Sequence, residues 1–167
     1  MKRLLILSIL AVAACGRSPR PGEPVTFSPK DGSFTAALPA GWRVDDAATG
    51  ARLAAFYGPL TGPAPFSQSL AVSFYAKGGR WKTARTFLES ESAIPGAPPR
   101  PPLDAAAREV VFVRRSLSTH GGPAEETVRL ATVPGRDGFF AVESVRPSGT
   151  PASPDVDAFL ASFKPAR

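Results

Sequence analysis

Cysteine and histidine are nearly absent from this chain, which has Cys15 as its one cysteine and His120 as its one histidine among 167 residues. A single cysteine excludes a disulfide within the chain, so the fold must rest on packing. A single histidine makes a metal site or a catalytic triad hard to assemble, because each needs several converging side chains. The sequence therefore predicts a non-enzymatic protein with no catalytic residue, no metal and no cofactor.

Long apolar runs are also scarce. The stretch Leu4–Ala14 is interrupted only by Ser8, and no later run comes close to the length of a membrane span. A spanning helix needs about 20 apolar residues, so this run is too short to be a permanent one. With Met1, Lys2 and Arg3 before it and small residues at its end, the run is typical of a secretory signal.

The end of this run, Val12-Ala13-Ala14-Cys15, resembles the lipobox of bacterial lipoproteins. That resemblance implies cleavage just before Cys15 and a diacylglyceryl group on its thiol. Each buried methylene of an acyl chain contributes about 0.8 kcal/mol, so two or three chains hold a protein durably at a bilayer. We therefore expect an extracytoplasmic, lipid-anchored protein, and Gly16 in place of aspartate favours the outer membrane, facing the periplasm. The alternative is an ordinary cleaved signal with an incidental cysteine.

Excess charge is modest once the signal is removed. The formal net charge falls from +6 to +4, because Lys2 and Arg3 leave with residues 1–14. This balance is compatible with contact to anionic headgroups, but it is too small to indicate nucleic-acid binding. The partners that we expect are the membrane, through the lipid anchor, and an envelope protein.

The rest of the chain divides into a tether and one domain. Residues 15–24 hold the cysteine and a proline-rich stretch that resembles an extended linker, and residues 25–167 are long enough for a single globular domain. Alternating apolar residues predict strands, which we place within 25–38, 51–58, 68–76, 107–119, 125–133 and 139–145. Asp31-Gly32 is a hairpin turn signal that divides the first of these ranges into two strands, and "PGRDG" at residues 134–138 predicts another turn.

Two helices are predicted between and after these strands. The first lies within residues 81–93 with Thr83 as its cap, and the second begins at Ser153 and Pro154. The second helix carries one apolar stripe, formed by Val156, Phe159, Leu160 and Phe163. The order of elements predicts an α+β domain with an antiparallel sheet of six or seven strands covered by helices.

Four segments, "GSFTAALPAGW", "TFLES", "GFFAVESV" and "DAFLASF", resemble the PsbP-like superfamily in their order and spacing over residues 25–164. The resemblance implies an α/β/α sandwich and a domain that is tethered outside the cytoplasm. All four segments are structural, so it implies no catalytic residue.

Arg114 and Arg115 lie inside an apolar strand, and Arg129 falls on the next one. Together they form a candidate basic contact surface for an acidic partner or lipid headgroups. The alternative is a solvated face with cross-strand pairs to Glu126 or Glu143.

A second candidate is "KGGR" at residues 77–80, just before a predicted helix. A turn is the interpretation that we favour, and anion binding at the helix N terminus is the alternative.

These observations leave three hypotheses for function. The first is an anchored accessory module that binds a protein. The second is a small-molecule or headgroup binder with a cavity of about 300 Å³ or more lined by Phe56, Phe74 or Phe139. The third, a hydrolase, would need His120 beside a carboxylate and a hydroxyl.

Overall fold

The computed structural model describes residues 24–59, 68–94, 100–117 and 123–166. Cys15 precedes the first of these ranges, and His120 falls between the last two, so the predictions made for both lie outside the described residues. Within the ranges the chain forms nine strands and two helices. The strands are β1 (Val25–Phe27), β2 (Phe34–Leu38), β3 (Arg43–Asp45), β4 (Arg52–Tyr57), β5 (Ser69–Ala76), β6 (Glu109–Leu117), β7 (Pro123–Gly135), β8 (Gly138–Pro147) and β9 (Lys164–Pro165). The helices are α1 (Ala84–Glu91) and α2 (Pro154–Ser162).

Six of these strands form one antiparallel sheet in the order β3-β4-β5-β8-β7-β6. β8 lies at its centre, paired with β5 on one side and β7 on the other. A Cβ on Gly138, the first residue of β8, would stand 2.1 Å from the carbonyl oxygen of Tyr75. Glycine is therefore what lets β8 start this close to β5.

The remaining three strands form a smaller sheet in the order β1-β2-β9. β1 and β2 are the hairpin predicted at the start of the domain, and its turn is closed by a 2.9 Å hydrogen bond from the Gly32 amide to the Pro29 carbonyl. The Ala37 amide donates to the Ser162 hydroxyl at 2.8 Å, which ties β2 to the end of α2. The small sheet and α2 therefore form one layer.

That layer packs on one face of the six-stranded sheet, which we call the α2 face. The Ser153 hydroxyl caps α2 by accepting from the Asp155 amide at 3.2 Å. The predicted stripe faces this sheet and is buried except for Leu160, which is partly buried. Phe159 is fully buried against Phe56, with 5.2 Å between the ring centroids. Phe34 and Phe140 are also fully buried in this cluster, so the α2 face holds the main core.

The opposite face, which we call the α1 face, is covered by α1. Thr83 caps this helix as predicted, and its hydroxyl accepts from the Thr86 amide at 3.1 Å. Phe87 and Leu88 face the sheet and pack in a second, smaller cluster with Phe112 and neighbouring apolar residues.

The predicted fold class is confirmed, because the structure is α+β with a six-stranded antiparallel sheet and a helix on each face. β3 and β9 were not predicted, since three and two residues are too few to show an alternating pattern. The division of the strands into two sheets was not predicted either. Neither helix in the described ranges has the length and apolarity to cross a membrane.

Candidate functional site

A cavity of about 370 Å³ opens at the end of the α1 face, where five segments meet. They are the end of β5, the start of α1, the residue before β6, the end of β7 and the start of β8. Four cationic side chains line it: Lys77, Lys82, Arg108 and Arg136. Trp81 and Phe139 form its apolar wall. We call this site the basic cavity.

The charge of the basic cavity is positive and only partly compensated. No carboxylate is among the described residues that line it. Arg136 pairs with Asp137 at 3.3 Å, whereas no ion pair within 4 Å joins Lys77, Lys82 or Arg108 to another residue in the described ranges. The first turn of α1 also borders the site, and a helix dipole is positive at this end. The arrangement suits an anion.

Local structure places these side chains. Gly78, at φ +82°, turns the chain after β5, and the Lys77 amide donates to the Asp137 carbonyl at 2.8 Å. Lys77 is thereby held beside the β7–β8 turn. The Thr132 amide and hydroxyl both donate to the Arg108 carbonyl, at 2.7 and 3.1 Å, which secures the backbone of Arg108 against β7.

The apolar wall is a packed aromatic group. The Trp81 ring meets Phe87 edge-on at 5.6 Å, and Phe87 in turn lies 5.5 Å from Phe139. The Arg80 guanidinium lies 4.7 Å from the centre of the Trp81 ring. Trp81 is thus held in place by core residues and presents an aromatic surface to whatever occupies the cavity.

The three arginines predicted as one contact surface lie on two different faces of the sheet. Arg114 is on the α1 face and donates to Glu126 at 3.1 Å and to Glu143 at 2.9 Å. These are the cross-strand pairs expected from the sequence as the alternative to a contact surface. Arg114 also lines a cavity of about 80 Å³, room for only a few water molecules, together with Tyr75. Burial raises the pKa of the Tyr75 hydroxyl.

Arg115 and Arg129 lie on the α2 face. Arg115 is exposed and pairs with Glu125 at 3.5 Å. Arg129 is partly buried and bridges two elements, since it binds Glu109 of β6 at 2.9 Å and also Asp157 of α2. The hydrogen bond to Asp157 is the main cause of the raised pKa of Arg129. Each of the three predicted arginines therefore has a carboxylate partner.

The three phenylalanines predicted to line a cavity also separate. Phe56 is fully buried in the main core, and Phe74 packs against the same core at 4.9 Å from Phe140. Phe139 alone of the three lines the basic cavity.

Several carboxylates have basic or hydrogen-bonding partners within the fold. Asp46 pairs with Lys30, Glu89 with Arg85, and Glu125 with Arg115. Asp155 accepts a hydrogen bond from the Trp42 indole at 3.3 Å. In the described part of the chain no group of three or more His, Cys, Asp or Glu side chains is placed to hold a metal ion.

The sequence indicated one part of the basic cavity, the segment at 77–80, but not Lys82, Arg108 or Arg136. Lys82 precedes a predicted helix cap, and Arg136 lies in a predicted turn, so both carried a local signal of exposure. Nothing local shows that they meet. Arg108 and Lys82 are 26 residues apart in sequence and come together only through the packing of α1 on the sheet.

No protein-family model matches the chain, and a search of curated proteins finds no match. Among solved structures, the fold is similar to the crystal structure of a protein from Bacteroides thetaiotaomicron VPI-5482, with a TM-score of 0.56 and 12% identity over 87% of this chain. This chain spans 49% of that protein, about half its length. At this identity the similarity shows the fold alone.

The solved structures that resemble the chain also include a PsbP protein. It is the solution structure of cyanobacterial PsbP (CyanoP) from Synechocystis sp. PCC 6803, with a TM-score of 0.49 and 12% identity. The match covers 92% of this chain and 98% of that one.

Proposed function

We propose that the protein is a non-enzymatic binding module, anchored to the envelope through Cys15, that holds an anionic group in the basic cavity. The group is a phosphate or carboxylate carried by a small molecule or by a lipid headgroup. The PsbP-like resemblance of the sequence supports the expectation of a tethered domain outside the cytoplasm. The basic cavity is the observation that carries the proposal.

Three properties of the cavity support this choice over the other hypotheses. Its volume of about 370 Å³ falls within the range of small-molecule sites. Lysine and arginine side chains without a carboxylate on the cavity wall recognise phosphate and carboxylate groups through charge-assisted hydrogen bonds. Trp81 and Phe139 add an apolar surface for the part of the ligand that carries the anion.

The binding test uses the two tryptophans of the chain. Trp42 is buried in the main core and Trp81 lines the cavity, so Trp42→Phe leaves a single reporter at the site. We expect the fluorescence of this full-length acylated variant, held in neutral detergent, to change saturably on titration with glycerol phosphate. Titration with vesicles containing phosphatidylglycerol, against vesicles of phosphatidylcholine alone, distinguishes a headgroup from a soluble ligand.

A matched pair of variants separates a built site from general charge attraction. Lys77→Gln with Lys82→Gln removes two charges from the cavity, and Lys30→Gln with Lys164→Gln removes two exposed charges elsewhere. Hydrogen bonds to charged groups contribute about 1.5–3 kcal/mol each, so we expect the first pair to lower the affinity at least about tenfold. Equal losses in both pairs, or no saturable change in the parent, would contradict the proposal.

Anchoring has its own test. We expect Cys15→Ser to move the protein from the membrane to the soluble fraction, because no acyl group can then be attached. Equal membrane recovery of the variant and the wild type, or mass spectrometry showing a bare thiol at Cys15, would end this part of the proposal. An envelope protein partner stays a prediction, which crosslinking in the native envelope tests.

A further inference from the structure

Among the strands that the structure describes, β6 is at one edge of the six-stranded sheet and pairs with β7 alone. It is nine residues long, whereas β3, at the opposite edge, has three. A long edge presents a row of backbone N–H and C=O groups to another strand, and proteins commonly shorten or cover such edges. β6 is therefore the edge of this sheet that is suited to a further strand.

The β6–β7 register shows which residues of β6 direct their backbone N–H and C=O groups away from the sheet. The Thr132 amide bonds to the Arg108 carbonyl, so the even-numbered residues that follow, such as Val110 and Phe112, bond to β7. The odd-numbered residues direct their backbone groups away from β7, and we call them the outward residues and these backbone groups the outer row. Within the described ranges this outer row receives one hydrogen bond, from the Arg100 guanidinium to the Val111 carbonyl oxygen at 3.5 Å, which is long for such a bond.

The side chains of the outward residues are apolar at the centre and charged at the ends. Val111 is 52% exposed and Val113 is 45% exposed, and both are among the large apolar residues that this fold leaves open to solvent. Glu109 precedes them and Arg115 follows, on the same face of the strand. Read along residues 109, 111, 113 and 115, the outward side chains are acidic, apolar, apolar and basic.

This pattern is complementary to itself when two copies run antiparallel. In a two-fold pairing centred on Phe112, Val111 lies opposite Val113 of the second copy, and Glu109 lies opposite Arg115 of the second copy. These are outward residues on both strands, so each pair exchanges two backbone hydrogen bonds. The neighbouring registers place Glu109 or Arg115 opposite a valine, so the charges select the one centred on Phe112.

We propose that two copies of this chain associate through β6 in this register and form one continuous sheet. The charged ends remain available, because Glu109 and Arg115 have 50% and 85% of their side-chain surface exposed despite their pairs with Arg129 and Glu125. The guanidinium of Arg100 moves aside on pairing. The inference does not depend on the basic cavity.

Charge reversal tests the pairing in the full-length acylated protein, by sedimentation equilibrium in density-matched detergent. Glu109→Arg and Arg115→Glu each place like charges opposite each other twice per dimer. We expect each variant alone to weaken dimerisation roughly tenfold or more relative to the wild type. Lys164→Glu, which reverses an exposed charge on β9 in the smaller sheet, is the matched control and should leave the dimer unchanged.

Mixing the two variants distinguishes this register from a structural effect within one chain. The mixture again faces opposite charges across the strand pair, so we expect heterodimers with an affinity near that of the wild type. Within each chain the reversed residue still lies beside a like charge, Arg129 or Glu125. If the loss came from these broken intrachain pairs, mixing would give no recovery. A wild type that stays monomeric up to about 1 mM, or a mixture no stronger than its components, would overturn the proposal.

Discussion

The two faces of the six-stranded sheet differ in how completely they are covered. On the α2 face, Phe34, Phe56, Phe140 and Phe159 are all fully buried, and the Phe34 and Phe163 rings stack at 4.8 Å. On the α1 face, a smaller cluster around Phe87 gives way to ion pairs, the 80 Å³ cavity and the basic cavity. The α2 face is filled except at its β6 edge, and the α1 face is partly open.

Simple dimensions account for this difference. Helix α1 has eight residues, so it is about 12 Å long, whereas six strands spaced about 4.8 Å apart make a sheet roughly 24 Å wide. A helix of this length covers only part of its face. On the other face α2 is nearly as short, but the three strands of the small sheet extend the layer. Stability is therefore concentrated on the α2 face and room for a ligand on the α1 face.

The largest effect that tests this comparison is expected at the centre of the filled face. Phe159→Ala should lower the free energy of unfolding by about 3–5 kcal/mol, because a fully buried ring leaves a cavity that its packed neighbours cannot fill. Urea unfolding followed by circular dichroism measures the loss. A loss below about 2 kcal/mol would show that the α2 face relaxes and is less tightly packed than its burial indicates.

The matching substitution on the open face is Phe87→Ala. We expect a loss at the lower end of the same range, about 3 kcal/mol, because the residues around the 80 Å³ cavity have space to relax. The variant should also weaken anion binding, since Phe87 supports Trp81. Phe159→Leu is the control, and it should leave anion affinity unchanged. An equal effect of both variants on binding would remove the functional distinction between the faces.

A smaller effect is expected at Arg129 of β7, which connects α2 to the edge strand β6. Arg129 joins Asp157 of α2 to Glu109 of β6, so Arg129→Met, which keeps the apolar stem, should cost about 1 kcal/mol at low salt. The cost should shrink at high salt because the ion pairs are partly exposed. Thermal unfolding at two salt concentrations measures it. A cost that does not depend on salt would assign the role of Arg129 to packing.

The smallest effect is expected on the open face, at Glu89. Its carboxylate accepts from Arg85 at 2.9 Å and from the Leu103 amide at 3.3 Å, and the hydrogen bond from Arg85 is the main reason that the pKa of Glu89 is lowered. A lowered folded-state pKa stabilises the fold fully above the unfolded-state value, and the contribution is lost as the pH falls through the folded-state value.

Glu89→Gln should therefore lower the melting temperature slightly near neutral pH, and the difference from the wild type should shrink at an acid pH below the folded-state pKa of Glu89. Comparing melting temperatures at the two pH values checks this. A difference that grows on acidification would show that the contact does not depend on the charge of Glu89.

Most of the secondary structure follows from the sequence alone, because the signals involved are local. Thr83 and Ser153 cap the two helices as predicted, and the strands that alternate clearly, such as residues 69–76, lie where the pattern placed them. Asp31-Gly32 predicted the first hairpin for the same reason. β3 and β9 are too short to carry a pattern of their own, and they form because neighbouring strands offer backbone partners.

Which side chains meet depends on the tertiary structure. The sequence suggested one basic surface of Arg114, Arg115 and Arg129, but the alternation of the strands and the ion pairs across them separate Arg114 from the other two. It gave no sign that Lys82, Arg108 and Arg136 would converge. Charges attract or repel over a few ångströms, and the packing of α1 on the sheet, which depends on contacts distant in sequence, determines which charges lie that close.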